Sequence, residues 1–255
     1  MVYYALLEMK GVILAGGLAT RLYPLTHATN KHLLPVFDRP MILYPIETLL
    51  RSGIDEILIV TGGPHAGDFI RVLKNGKDFG VKHLEYTYQE KPDGGIADAL
   101  SLAEDFANGD PICVILGDNT TDGDISSHVK TFKEGAKIFL KKVADPERFG
   151  VPVFGRPKKG SKPKILKIEE KPKEPASDYA VTGLYMYDNE VFKIVQTLKP
   201  SERGQLEITD VNNAYLKNGK LDWVEFDAFW TDAGTPATLL KANVYWAVKK
   251  GVNLL

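Results

Sequence analysis

The 255-residue chain has a single cysteine, Cys113. That excludes an intramolecular disulfide and suits a reducing compartment. No apolar run approaches the roughly 18 residues a membrane-spanning helix needs. No basic N-terminal stretch leads into a sustained apolar one either, so no signal peptide is read. Excess charge of one sign is missing too, since 32 Lys and Arg face 33 Asp and Glu, for a formal net charge of −1. The molecule therefore has no overall field to draw it to nucleic acid or an anionic membrane. Any anionic substrate must be held by local cations. There is no G-x-S-x-G, which removes support for a serine hydrolase. His27, His32, His65, His83 and His128 show no metal-ligand spacing. The expectation is a cytoplasmic protein with neither nucleic acid nor membrane as partner.

What is present is a chain long enough for one large core. Val12–Ala15, Ile57–Val60 and Ile112–Leu116 are short branched runs that end in Gly16-Gly17, Gly62-Gly63 and Gly117-Asp118. Such runs suit buried parallel strands. Ile138–Val143 and Val181–Tyr187 are further strand candidates. Helical spacing of apolar residues marks Tyr44–Arg51, Gly67–Leu73 and Ile96–Phe106, the first beginning near Pro45 and stopping at Gly53. Strands alternating with helices predict an α/β fold, a Rossmann-like, mostly parallel sheet sandwiched by helices. Ligands of such sheets lie beyond the carboxyl ends of the strands, which puts Gly16-Gly17 and Gly117-Asp118 at one edge. The second half reads as an inserted β-rich lobe within the same domain. Its 156–164 segment, RPKKGSKPK, is expected to be a solvated hairpin tip, because no aromatics are interleaved to stack bases.

The glycine pair after the first strand lets the backbone approach a phosphate, and its N–H groups can cradle the charge. The segment is neither G-x-x-x-x-G-K-[ST] nor G-x-G-x-x-G, which disfavours a Walker-type ATPase and a Rossmann dehydrogenase. Arg21 follows Gly17 by four residues, and Lys31 comes soon after. A bidentate arginine and a point-charge lysine beside a glycine turn meet the needs of triphosphate binding. Asp118 ends a buried strand, where an unpaired carboxylate would be costly without a cation. Cys113 falls inside a strand pattern and reads as core. Asp122-Gly123-Asp124 spells a D-x-D of the kind used by metal-dependent glycosyltransferases, but a turn with Asp124 as N-cap of the next helix explains it more simply.

Taken together, LAGGLATRLYPLT, KHLLPV, GGIADAL, LGDN, DPERFGV, IEEKP, YAVTGLYMYD, GQLEITDVN and WTDAGT occur in that order. In these motifs the chain resembles the sugar-1-phosphate nucleotidyltransferases, and within them the glucose-1-phosphate thymidylyltransferases. The resemblance runs from about Met9 to about Lys249, so residues 1–8 read as an extension or an upstream start. It implies transfer of a nucleotidyl group from dTTP to glucose 1-phosphate, with UTP as the rival donor. One domain over 1–255 is expected, with a nucleotide-binding half at about 9–143, a sugar-binding half at about 144–235 and a C-terminal helix at 236–255.

The same resemblance implies residue roles. Leu14, Gly16, Gly17, Thr20, Arg21, Gln89 and Gly95 would surround the nucleotide, the Gln89 amide pairing with both a carbonyl and an N–H of the pyrimidine. Gly117, Gly150, Glu170, Lys171 and Val181 would hold the sugar phosphate. Asp118 and Asp232 would bind Mg²⁺, and Arg21, Lys31, Asp118 and Lys171 would form the catalytic set. Ala19 departs from the pattern by standing where the second glycine of G-x-G-T-R belongs, and its methyl is expected to restrict positive φ or crowd a phosphate. That departure motivates a catalytically silent nucleotide-binding subunit as a rival reading, alongside a glycosyltransferase. Longer members of the family carry further C-terminal helices used in assembly and allostery, so a monomer or homodimer is expected.

Overall fold

The protein is described by a computed structural model covering residues 8–157, 160 and 162–253. Most of the 1–8 extension and Lys158, Lys159 and Ser161 of the basic loop lie outside the described residues. Among the described residues, no helix is long and apolar enough to cross a membrane.

The first half is built on β1 (Lys10–Ala15), a short β2–β3 ribbon (Pro35–Val36 and Arg39–Pro40), β4 (Glu56–Gly62), β5 (His83–Gln89) and β6 (Ile112–Leu116). Between them lie α1 (Leu43–Arg51), α2 (Ala66–Leu73), α3 (Ile96–Ser101) and α4 (Glu104–Ala107). The chain continues through β7 (Asn119–Thr121), α5 (Ser126–Thr131), β8 (Ala136–Lys142), the hairpin β9 (Gly150–Phe154) and β10 (Ile165–Glu170), and β11 (Tyr179–Tyr187). It closes with α6 (Glu190–Thr197), α7 (Ile208–Lys217), β12 (Leu221–Glu225), β13 (Trp230–Asp232) and α8 (Pro236–Lys249).

Seven strands form the central sheet, in the order β12-β8-β11-β6-β1-β4-β5. Strand β1 sits inside, with Val12 beside Leu58 on one flank and Val114 on the other, both parallel. Strand β11 runs antiparallel to both neighbours, and the remaining pairs are parallel. Successive side chains of a strand face opposite ways, so β1 serves two cores. Val12 and Leu14 join Leu58 and Val60 against helices that contribute Ala97, Leu100, Phe192, Ile208 and Val211. Ile13 and Ala15 join Ile57 and Ile59 against Ile46, Leu49, Phe69 and Leu73. Each of the valine, leucine, isoleucine and phenylalanine side chains among them, fully buried, adds roughly 1.5–3 kcal/mol. Cys113 lies in this second core with no exposure, and burial pushes its thiol pKa up.

The strand expectations hold, with ends that shift by at most two residues. The helix predicted over Ile96–Phe106 is two short helices. At Leu102 and Ala103 the backbone N–H groups donate three residues back, to Ala99 and Leu100, and this tighter turn breaks the α repeat. Strand β5 was not among the predicted strands. It is an edge strand whose polar and apolar residues alternate, so it lacks the apolar run that marked the interior ones.

Two small pieces complete the frame. The antiparallel β9–β10 hairpin sets Gly150 opposite Glu170. Antiparallel β7 and β13 set Asn119 opposite Asp232. Helix α8 begins with Pro236 in its first turn and a reciprocal Thr235–Thr238 capping box. It packs Trp246 and Ala242 on Tyr44, Met41 and Ala233, fixing the chain just beyond β13.

Candidate active site

A cleft of about 350 Å³ opens at the carboxyl edge of the sheet, between the ends of β1, β5 and β6 and the β9–β10 hairpin. One wall starts at the turn after β1. Gly17 has φ +91°, and a Cβ on Gly16 would sit 2.4 Å from Gln89 Oε1, so both positions require glycine. Ala19 adopts φ 51° and ψ 40°, the left-handed conformation a glycine takes without strain. For alanine this costs roughly 1–2 kcal/mol. The Thr26 hydroxyl and the Leu22 N–H both donate to its carbonyl, at 3.0 Å each, and hold it there. The loop thus keeps its shape despite the substitution. Buried Leu22 then anchors a short 3₁₀ turn that leaves Thr20 and Arg21 exposed.

Lys31 stands on the third 3₁₀ turn of the chain, capped by the Asn30 side chain, which accepts from His32 N–H at 3.0 Å. The buried His32 ring lies 2.7 Å from the same Asn30 oxygen through Nδ1. Burial, with the Lys31 charge added, lowers the His32 pKa to about 3, so the ring is neutral. From this turn Lys31 Nζ reaches Asp118 Oδ2 at 2.6 Å. Burial by itself would raise the Asp118 pKa, but Lys31, aided by the amide of Asn119, holds it below the ordinary carboxylate range. Asn119 is fixed in turn: its Nδ2 donates to Asp118 Oδ1 at 2.8 Å, and its Oδ1 accepts from Trp230 Nε1 and Gly183 N–H at 2.6 and 2.9 Å.

Asp232 faces this group from β13. Arg148 donates to both of its carboxylate oxygens, at 2.9 and 3.2 Å, and also grips Asp145 at 2.6 Å. Burial and the nearby Asp118 charge nevertheless push the Asp232 pKa up to about 6. Gly234 locates the convergence: a Cβ there would lie 3.0 Å from an Arg21 guanidinium nitrogen, 3.3 Å from Asp118 Oδ2 and 3.7 Å from Asp232 Oδ2. A carboxylate whose charge raises the proton affinity of the carboxylate facing it marks a place for a cation. Among the described residues no cluster of three His, Cys, Asp or Glu side chains is poised to hold a metal. A hard divalent cation here would take two protein carboxylates and complete its shell with substrate oxygens and water.

The opposite wall comes from the hairpin and α7. Glu170 accepts from Thr209 Oγ1 at 2.6 Å and from Arg203 at 3.3 Å, while Arg203 also clasps Glu207 at 2.8 and 2.9 Å. Lys171 follows β10 with φ +45°, its N–H bound to the Phe149 carbonyl at 2.9 Å. Strained backbone of this kind persists where surrounding structure over-determines it, and it clusters at functional sites. The Lys171 ammonium is half exposed, 3.5 Å from Glu170. Val181, Gly183 and Tyr185 of β11 complete the lining.

Residues 10–247 match the nucleotidyl transferase family. The chain belongs to that family. A glucose-1-phosphate thymidylyltransferase of Neisseria meningitidis serogroup A is 44% identical over 242 residues, spanning 92% of this chain and 81% of its own length. One from an Actinoplanes species is 43% identical, spanning 93% and 78%. Among solved structures, a Bacillus anthracis protein assigned as a glucose-1-phosphate thymidylyltransferase and crystallised with sucrose is 52% identical. It superposes with a TM-score of 0.86 over 93% of this chain and 94% of its own. A UDP-glucose pyrophosphorylase bound to UDP-glucose shares the fold, with a TM-score of 0.80 at 22% identity over 95% and 99% of the two chains.

In this nucleotidyl transferase the cleft gathers Leu14, Gly16, Gly17, Arg21, Lys31, Gln89, Gly95, Asp118, Gly150, Glu170, Lys171, Val181 and Asp232 from the sequence-derived set. Thr20 and Gly117 do not line it. Gly117 is instead packed against His32, whose ring carbon would lie 2.8 Å from an added Cβ. Thr20 is exposed on the turn that aims Arg21. Gly95 lines the cleft, but its need for glycine comes from φ +97° and from the Leu206 carbonyl, 2.4 Å from an added Cβ. The expected two-way pairing by Gln89 is also altered. Its amide nitrogen already donates to Asp98 Oδ2 at 2.8 Å and to the Gly95 carbonyl at 3.3 Å, leaving the oxygen as its free end.

The D-x-D pair is structural. Asp122 accepts from Phe229 N–H at 3.0 Å and binds Tyr245 and Lys249 of α8. Asp124 accepts from Ser126 N–H in an Asx turn, one residue short of the cap position, which Ile125 occupies. Arg148, Asn119, Arg203, Glu207, Thr209 and His32 were not singled out. Several lie inside recognised motifs, but nothing in their spacing shows that they converge on one cleft.

Proposed function

We propose that this chain transfers the thymidylyl group of dTTP to glucose 1-phosphate, releasing pyrophosphate and dTDP-glucose, with Mg²⁺ as the metal. The relatives named above support the substrate pair. The observation that carries the reaction class is the meeting of Asp118, Asp232 and Arg21 around Gly234, between a glycine turn and a lysine on strained backbone. In this reading residues 9–143 supply the nucleotide side and 144–235 the sugar side, both within one domain over 1–255.

The acceptor nucleophile is a phosphate oxygen, already anionic at neutral pH, so no covalent intermediate or strong base is required. That oxygen forms a bond to the α-phosphorus as the bond to the β-bridging oxygen breaks in line, and pyrophosphate leaves. The protein's task is to bring two anions together and to offset their repulsion. Arg21 and the Gly16-Gly17 turn hold the triphosphate. Lys171 holds the acceptor phosphate, and Glu170, steadied by Thr209 and Arg203, takes sugar hydroxyls, with Gly150 and Val181 shaping the pocket. Lys31 keeps Asp118 ionised, and Arg148 balances Asp232. When bound between Asp118 and Asp232, Mg²⁺ supplies charge neutralisation at the reacting phosphates.

The test is pyrophosphate release by the purified protein with glucose 1-phosphate, Mg²⁺ and each nucleoside triphosphate in turn, with Asp118→Asn as control. Release that needs both substrates, is strongest with dTTP and is lost in the variant is expected. Release strongest with UTP would keep the chemistry and change the donor. Absence of release with every triphosphate would sink the proposal.

A further inference from the structure

Gln89 is 3% exposed and ends β5 at the rim of the cleft. Both partners of its amide nitrogen, the Asp98 carboxylate at 2.8 Å and the Gly95 carbonyl at 3.3 Å, are acceptors. A carboxylate and a backbone carbonyl have no proton to give, so chemistry settles which end of the amide is nitrogen. The Asp98 carboxylate packs over Gly94, where an added Cβ would stand 2.4 Å from Oδ2. Turning the Gln89 amide over would bring its oxygen against a carboxylate in a part-buried site, two acceptors face to face. The end left for a ligand is therefore Oε1, which lies over Gly16.

We infer that Asp98 is a specificity-determining positioning residue: it locks the Gln89 amide so that only an acceptor faces the nucleotide base, which selects an imide base carrying N3–H. The inference rests on the reading that the base binds beside Gln89. An imide pyrimidine offers one ring donor, N3–H, between two carbonyl acceptors. An acceptor-only group can meet that donor and no other point on the edge. Cytosine presents a bare N3 there, and a second acceptor opposite it leaves both lone pairs unmatched. Asp98 touches no part of the substrate; it decides the hydrogen-bond sense of a residue that does.

The natural probe pair is dUTP and dCTP, which share deoxyribose and triphosphate and differ only in the pairing edge of the base. The readout is the ratio of kcat/KM for dUTP to that for dCTP at saturating glucose 1-phosphate, measured in wild type, Gln89→Ala, Asp98→Asn and Asp98→Ala. In Asp98→Asn the side-chain amide can face Gln89 with either end, so both amide orientations become available. Use of dCTP should rise while dUTP falls only a few-fold, and the ratio should drop by about tenfold or more. Asp98→Ala removes the charge that opposes the flip, and the ratio should drop there too.

A merely structural role would lower both substrates equally and leave the ratio in place. A ratio within about twofold of wild type in both Asp98 variants, with Gln89→Ala having lost discrimination, overturns the role of Asp98 and leaves the base site standing. A wild type that does not prefer dUTP, or a Gln89→Ala enzyme that keeps the preference, overturns the base-site reading and this inference with it.

Discussion

Replacing Gly234 by alanine would place a methyl group where Arg21, Asp118 and Asp232 meet. The φ of Gly234 lies outside the left-handed region, so alanine is compatible with its backbone. The added carbon would stand 3.0 Å from Arg21, 3.3 Å from Asp118 and 3.7 Å from Asp232. Comfortable heavy-atom contact begins near 3.5 Å, so Arg21 must retreat by about half an ångström and Asp118 by a few tenths. Asp118 cannot easily yield, because Lys31 and Asn119 hold its two oxygens and Asn119 is itself pinned by Trp230 and Gly183. The exposed Arg21 is the group that moves.

A displacement of about 1 Å at a reacting centre can cost about a hundredfold, so about tenfold in kcat/KM is expected here, appearing mainly as weaker dTTP use. The melting temperature should stay within about 2 °C of wild type, corresponding to less than about 1 kcal/mol for a chain of this length. Gly67→Ala is the control. Gly67 is exposed on the outer face of α2 with nothing near an added Cβ, and the change should leave activity alone while adding about 0.5–1 kcal/mol of stability. The assay is steady-state kinetics for each substrate together with thermal melts. Unchanged kinetics in a folded Gly234→Ala enzyme would refute the convergence of these three side chains on the reaction.

Lys31→Met should leave the Asp118 carboxylate buried without its cation, lowering stability by about 3 kcal/mol at pH 7.5 in denaturant titrations. Asp118 is held below the ordinary range in wild type, so that stabilisation is present above the usual carboxylate pKa and is lost as pH falls. The gap between the two proteins should therefore narrow as pH falls below the ordinary carboxylate pKa, and a pH-independent gap would contradict the ion pair's role. Asp232, raised to about 6, must lose its proton to hold a cation. At limiting Mg²⁺ the activity should show an acid limb near pH 6 that moves lower at saturating Mg²⁺; a limb near pH 4 at both concentrations would count against it. Thr209→Val removes the 2.6 Å hydrogen bond that fixes Glu170 and should raise KM for glucose 1-phosphate about tenfold while sparing KM for dTTP. Equal loss for both substrates would place Thr209 outside the sugar pocket.

The parts legible in the sequence were those encoded by neighbours along the chain. Branched apolar runs such as Ile112–Leu116 identify interior strands because a strand buried on both faces must be apolar at every position. Glycine pairs at their ends, Arg21 and Lys31 nearby, and nine motifs in order carried the family and the edge of the sheet where a site belongs. Edge strand β5 escaped, because half of its residues face water and weaken the signal.

Tertiary structure decided the rest, since hydrogen-bond sense and charge pairing depend on residues far apart in sequence. Arg148 and Asp232 are 84 positions apart, and Lys31 and Asp118 are 87 apart. Whether Ala19 could replace glycine turned on the two donors that hold its carbonyl in the left-handed turn. Whether Gln89 offers a donor or an acceptor turned on Asp98, in the first turn of α3, whose carboxylate takes an amide proton while the Gly95 carbonyl takes the other. Composition and spacing name the groups that can do chemistry, but only packing determines which of their lone pairs and protons remain free to do it.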